Sequence, residues 1–157
     1  MELLIVVAIM LILATVGFSN FVFSLKKSHD ARRKSDLSVI ARGLEAFAND
    51  WGNYPDDNGA GKMTACDYNN TGLTYCSFGS PMAAFSPPTA VAANRALVTY
   101  LASLPTDPVS GQTYYYDKTS AGFNLFAALE NTADPSYVVV TQSCGDVNCN
   151  YTLSQSG

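Results

Sequence analysis

Apolar residues dominate the chain from Leu3 to Leu25, and no charge interrupts them. At about 1.5 Å per helical residue this run spans roughly 34 Å, enough to cross a hydrocarbon core of about 30 Å. Its side chains are apolar all round, as lipid or a tight bundle of helices requires. No break signal follows. From Ser28 the pattern changes, and Leu37, Ile40, Ala41, Leu44, Phe47 and Ala48 recur at three- and four-residue spacing. The opposite face carries Arg32, Asp36, Arg42 and Glu45, and Asp30–Lys34 and Arg32–Asp36 fall at i,i+4. One helix is therefore predicted from Leu3 to Asn49, about 70 Å long, with one face of its second half packed on a domain. Its weakest stretch holds Gly17, Ser19 and Asn20, where helix propensity is low; local melting is expected there once the segment leaves lipid.

Trp51-Gly52-Asn53-Tyr54-Pro55 ends this helix. Gly52 suits the left-handed cap, and Pro55 cannot continue a helix. Residues 56–89 form a long polar connection rich in Gly, Asn, Ser and Pro, which short elements or a covalent clamp must order. Thr89 reads as an N-cap, and Val91, Leu97, Val98, Tyr100 and Leu101 predict a short second helix ending before Pro105. The last third is β-like. Thr113–Asp117 is a predicted strand, 118–122 a turn, Phe123–Leu129 a second strand and Tyr137–Thr141 a third. Short connections make an antiparallel meander the simplest sheet, and the apolar stripe of the helix is its natural cover. The predicted fold class is α+β. Residues 1–25 form a membrane or core helix, 26–52 its amphipathic continuation, and 53–157 a globular head with loop, short helix and sheet.

Composition narrows the classes. About 110 residues remain after the long helix, enough for one small domain. The formal charge of −4 argues against a general nucleic-acid role. The one basic cluster, Lys26, Lys27, Arg32, Arg33 and Lys34, directly follows the apolar run and is expected to face solvent or lipid headgroups. Cys66, Cys76, Cys144 and Cys149 are an even set in loop-like sequence, which points to two disulfides in an exported domain. Local pairing, Cys66–Cys76 and Cys144–Cys149, is preferred among the three connectivities. A zinc site is the rival, but neither pair combines a short gap with knuckle glycines. A cleaved signal peptide would carry a basic stretch ahead of its core and a small-residue cleavage site after it. This run has neither, and it is longer than a typical signal core.

The start, Met1-Glu2-Leu3-Leu4-Ile5-Val6-Val7-Ala8-Ile9, resembles the N-terminus of type IV pilins and type II secretion pseudopilins. That family cuts a leader a few residues before the glutamate, so the chain is expected to begin about three residues inside the usual mature end. The likeness extends to Arg33, Asp36, Leu44, Glu45 and the Trp51–Pro55 turn. It continues through Tyr100-Leu101, Leu104-Pro105, Asp107-Pro108, Gly111 and Tyr114–Tyr116. Residues 56–90 match no part of the family. The resemblance implies a pilin fold and a structural role without catalysis. The chain would sit in the inner or cytoplasmic membrane, then enter an extracellular surface filament serving adhesion, motility or DNA uptake. Its partners would be other copies of itself, minor pilins and the assembly machinery. The alternative is a pseudopilin forming a periplasmic piston. Glu2 would meet a neighbour's N-terminal amine, because an unpaired carboxylate in an apolar core is costly. Leu3, Leu4, Val6, Val7, Ile9 and Leu11 would line the filament core. Head-to-tail contacts that never close yield an open helical polymer.

Catalytic signals are weak. His29 is the sole histidine and lies beside the basic cluster. No Ser/His/Asp set, His-Glu-x-x-His or phosphate loop occurs in the sequence. No cofactor is expected. Calcium has only weak signals in the sequence. Asp56-Asp57-Asn58-Gly59 resembles part of a calcium loop without its later ligands, and reads as a solvated turn. Asp146 lies in a late loop comparable to the calcium site of some pseudopilins, where the resemblance implies that the Cys144–Cys149 pair replaces that function. Asn69-Asn70-Thr71 and Asn150-Tyr151-Thr152 fit the N-glycosylation pattern, at a rate that chance explains in an Asn/Thr-rich chain. The aromatic content of 11% is accounted for by strands and core packing.

Overall fold

A computed structural model describes residues 2–87 and 95–156, all but 16–19 and 156 of them with their side chains. Helix α1 runs unbroken from Glu2 to Trp51. It ends as the sequence implies: Gly52 takes a φ of +76° and its N–H returns to the Ala48 carbonyl at 2.8 Å. The Tyr116 hydroxyl then donates to the Pro55 carbonyl at 2.6 Å, tying the turn to the sheet. The architecture is α+β, with the second half of the helix packed on small antiparallel sheets.

Among the described residues, three sheets replace the single meander. Strands β1 (Asp56–Asp57) and β2 (Met63–Thr64) pair within the long polar connection. The Cys66–Cys76 disulfide and the buried Asp67 carboxylate, which accepts the Thr71 and Gly72 N–H groups, order the rest of that segment. Strand β3 (Met82–Phe85) pairs antiparallel with β4 (Leu97–Leu101). The expected second helix is thus wrong over 97–101; its proposed start, Thr89 and Val91, lies outside the described residues. Val98, Thr99 and Tyr100 favour strand, and β3 offers them a partner that outweighs the weak helical spacing.

The main sheet has the order β5-β6-β7: Tyr115–Thr119, Gly122–Ala127 and Tyr151–Ser156. The turn between β5 and β6 is only Ser120-Ala121, so Lys118, Thr119 and Gly122 are strand residues, not turn residues. The third strand is not Tyr137–Thr141. That stretch leaves Val138 and Val139 exposed and sends the Val138 N–H to the Asn150 carbonyl. Asn150 decides the outcome. Its side-chain amide both accepts from the Leu129 N–H (2.6 Å) and donates to the Leu129 carbonyl (2.9 Å), which starts β7 alongside the end of β6.

The core joins the helix stripe to these sheets. Leu37, Ile40, Leu44 and Phe47 are buried against Met82, Leu104, Tyr114, Tyr116, Phe123 and Leu125. Ala41 is buried and Ala48 half-buried, so the stripe runs where the spacing placed it. Gly43 is also buried because Leu101 of β4 lies directly on it; an added Cβ would stand 2.6 Å from that side chain. Gly43→Ala would gain about 1 kcal/mol of helix propensity. Displacing Leu101 and β4 costs about 1–3 kcal/mol, so a net loss is expected. Urea midpoints of Gly43→Ala and Gly43→Ala/Leu101→Ala would check this, since the second change relieves the overlap while opening a cavity.

Candidate functional site

Among the described residues, the first half of α1 is exposed along its length. Leu3 is 76% exposed, Leu11 63% and Phe21 60%. Leu4, Val6, Val7 and Ile9 are exposed too, on several sides of the rod. Glu2 occupies the first turn, where a carboxylate complements the helix dipole. The backbone stays helical through Gly17, Ser19 and Asn20, and Asn20 is exposed. A rod of about 24 residues is roughly 36 Å long and 10 Å across, which gives about 1,100 Å² of lateral surface. That is roughly two to four times the largest apolar patch of an ordinary soluble monomer, about 300–600 Å². The helix is long and apolar enough to cross a membrane.

The basic cluster after this rod is divided. Lys26, Lys27 and Arg32 are exposed, as expected. Arg33 is fully buried, and Lys34 reaches across to Asp134 at 2.8 Å and Ser136 at 3.3 Å. The expected Asp30–Lys34 pair is replaced by Asp30–Arg33, whereas Arg32–Asp36 forms at 3.6 Å. Sequence spacing along one helix could not show that acceptors on the head compete for these cations.

Arg33 closes a clasp between helix and head. Its Nε and Nη2 grip the two Asp107 oxygens at 2.8 and 2.9 Å. Nη2 also reaches Gln112 Oε1 at 3.0 Å, and Nη1 donates to Asp30 (2.9 Å) and Glu130 (3.0 Å). All five guanidinium donors are thereby used. The surplus of carboxylates is offset by backbone donors. Asp30 accepts the Glu130 and Asn131 N–H groups, and Asp107 accepts that of Val109. Glu130 also meets His29 Nδ1 at 2.8 Å. Burial opposes the Arg33 charge, but bonding and attraction to Asp107, with bonds from Asp30 and Glu130, outweigh it and raise its pKa. Asp107, Gln112 and Glu130 were not legible as partners; Asp107 stood out only through the family likeness.

Both local disulfides form, Cys66–Cys76 and Cys144–Cys149. The second supports the clasp. Its loop sends the Cys144 carbonyl to the Thr113 N–H and the Asp146 N–H to the Gly111 carbonyl, on either side of Gln112. Asp146 is exposed, with its carboxylate beside Gly111. The Asp56–Gly59 turn uses its polar groups locally: Asp57 accepts the Gly59 N–H, Asn58 accepts those of Ala60 and Lys62, and Asp56 pairs with Lys118.

Beyond the clasp, the Tyr114 hydroxyl donates to Asp36 at 2.7 Å. Burial, then Asp36, pushes the Tyr114 pKa above its ordinary 10.0; burial, then Asp57 and Asp56, does the same for Tyr116. The folded state thus holds both phenols neutral, and this stability is fully present below pH 10. As pH rises further, the unfolded chain ionises first, so stability falls by about 1.4 kcal/mol per pH unit for each tyrosine. Melting temperatures between pH 9.5 and 11 should drop steeply, and Tyr114→Phe should flatten the slope. A pH-independent melting temperature there would contradict the assignment.

The chain matches no protein-family model, no curated protein and no solved structure with which it was compared.

Proposed function

We propose that this chain is the structural subunit of a type IV pilus-like filament. The observation that carries the proposal is the single 50-residue helix, bare and apolar in one half and clasped to the head in the other. An apolar rod needs lipid or other apolar rods around it. Moving it from one to the other changes little in its solvation, so the same segment serves as anchor before assembly and as polymer core afterwards. In a solitary anchor Glu2 would do no more than complement the helix dipole. In a bundle of such helices, that carboxylate selects one axial position by meeting a neighbour's amine. The Arg33 clasp makes the head follow the helix when it leaves the membrane.

Several features support an exposed fibre over a periplasmic piston. Two disulfides brace the loops, and the head surface is rich in Ser, Thr and Asn. The role is structural, without catalysis, in homopolymers that also engage minor subunits and an assembly machine. The filament would emerge from the inner or cytoplasmic membrane and project from the cell.

Electron microscopy of material sheared from cells tests this reading. Fibres about 5–8 nm wide are expected from one sleeve of small heads around packed helices 10–12 Å thick. Recovery of the chain only from the membrane fraction would oppose it. Glu2→Ala should sharply reduce fibre yield while leaving the subunit in the membrane; undiminished fibres of normal register would remove the pairing role.

A further inference from the structure

We infer that the membrane-facing base of the head holds one phospholipid headgroup of the phosphoethanolamine class. A cleft of about 260 Å³ opens between α1 and the loop after β6, lined by Lys27, Asp30, Ala31, Lys34, Asn131 and Asp134. The inference rests on the membrane-embedded state in the reading above, not on polymerisation. With Leu25 as the last apolar residue, Lys27 lies about 3 Å and Lys34 about 14 Å farther along the helix. Headgroups occupy roughly 5–7 Å beyond the hydrocarbon core on each side, so the Lys27 end of the cleft opens into that layer.

The chemistry of the walls is two-signed. Lys27 is exposed, and its ammonium lies 4.5 Å from the centre of the Phe23 ring, drawn back toward the membrane. No carboxylate among the described residues forms an ion pair with it. Asn131 uses its side-chain oxygen on the Ala133 N–H at 3.2 Å, which leaves its amide NH2 to donate. These two groups suit a phosphodiester. Deeper in the cleft, Asp134 is held by Lys34 but keeps part of its carboxylate exposed. It suits a primary ammonium that can donate hydrogen bonds. A choline group fills the space without donating any, and a glycerol headgroup brings no cation to Asp134.

The test reconstitutes the full chain into bilayers of phosphatidylglycerol with either phosphatidylethanolamine or phosphatidylcholine. Lipid retained per chain after gentle extraction is counted by native mass spectrometry on the monomer. Ethanolamine lipid should be retained over choline lipid. Lys27→Gln should lower that retention about fivefold, the usual weight of one lysine at a lipid surface. Asp134→Asn should shift the preference toward phosphatidylglycerol. Equal retention of ethanolamine and choline lipids, or no response to Lys27→Gln, would overturn the site. So would retention of phosphatidylglycerol alone, which would mark a merely basic surface. Because the readout is on monomers, it stands apart from whether fibres form.

Discussion

Replacing Arg33 with methionine is expected to destabilise the head by about 3–5 kcal/mol, the usual cost of removing one partner from a buried ionic group. Methionine fills much of the space but supplies none of the five hydrogen bonds. Asp107, whose side chain is 1% exposed, would keep a charge with no cation beside it, and Gln112 would lose its donor. Arg33→Lys should fall between, because an ammonium cannot reproduce the two-pronged grip on Asp107. Trp51 is the only tryptophan and stacks on Phe47 at 5.3 Å, so its fluorescence reports unfolding of the full chain in detergent. Hydrogen exchange should accelerate first in 105–112 and 128–134, the two loops that the clasp holds. A loss under about 1 kcal/mol would mean that the apolar stripe alone secures the head.

Gly145→Ala should be nearly as damaging, for a different reason. Gly145 has a φ of +83°, and a Cβ there would stand 2.1 Å from the Gly111 carbonyl oxygen. A side chain can rotate away from such an overlap, but a backbone carbonyl moves only with its loop. That loop carries Gln112, so the strain would pass into the clasp. A cost of about 3 kcal/mol or more is expected, combining the left-handed penalty with a forced loop shift. Gly59→Ala is the control. Its φ is +69°, but nothing lies within 4 Å of the added methyl group. It should cost only the conformational term, about 1–2 kcal/mol. Equal urea midpoints for the two variants would show that the Gly145–Gly111 approach does not matter.

These sites mark where sequence reasoning succeeded and where it stopped. Helix α1 was legible because its signals are local and agree: a long apolar run, a 3.6-residue stripe, and a Gly-then-Pro stop. The paired cysteines were legible because each pair closes a short loop. Strand β4 was misread because Leu97, Val98, Tyr100 and Leu101 fit helical spacing as well as a strand. Only β3, at a distance in the sequence, decides between them. Strand β7 was missed because Tyr151–Ser156 is half polar, while Tyr137–Thr141 looked more like a strand and lacks a ladder of its own. The clasp was invisible for a related reason. Asp107, Gln112 and Glu130 are ordinary loop residues until the fold gathers them around Arg33. What read as a uniform basic stretch is three exposed cations beside two that the head has claimed.

The division of α1 has a mechanical consequence. The buried half fixes the head along one face, and the bare half is left to meet lipid or other helices. All four native cysteines are paired, so one added cysteine gives a unique thiol in the bare half. Cross-linking Leu11→Cys with a bifunctional maleimide of about 10 Å, the usual distance between packed helices, is the most direct test of the central claim. Assembly through the helix predicts covalently linked dimers, the largest product one thiol per chain allows, in the sheared surface fraction and mainly monomers in the membrane fraction. Reagent-modified but unlinked chains in every fraction would contradict it, and would leave the helix a solitary anchor.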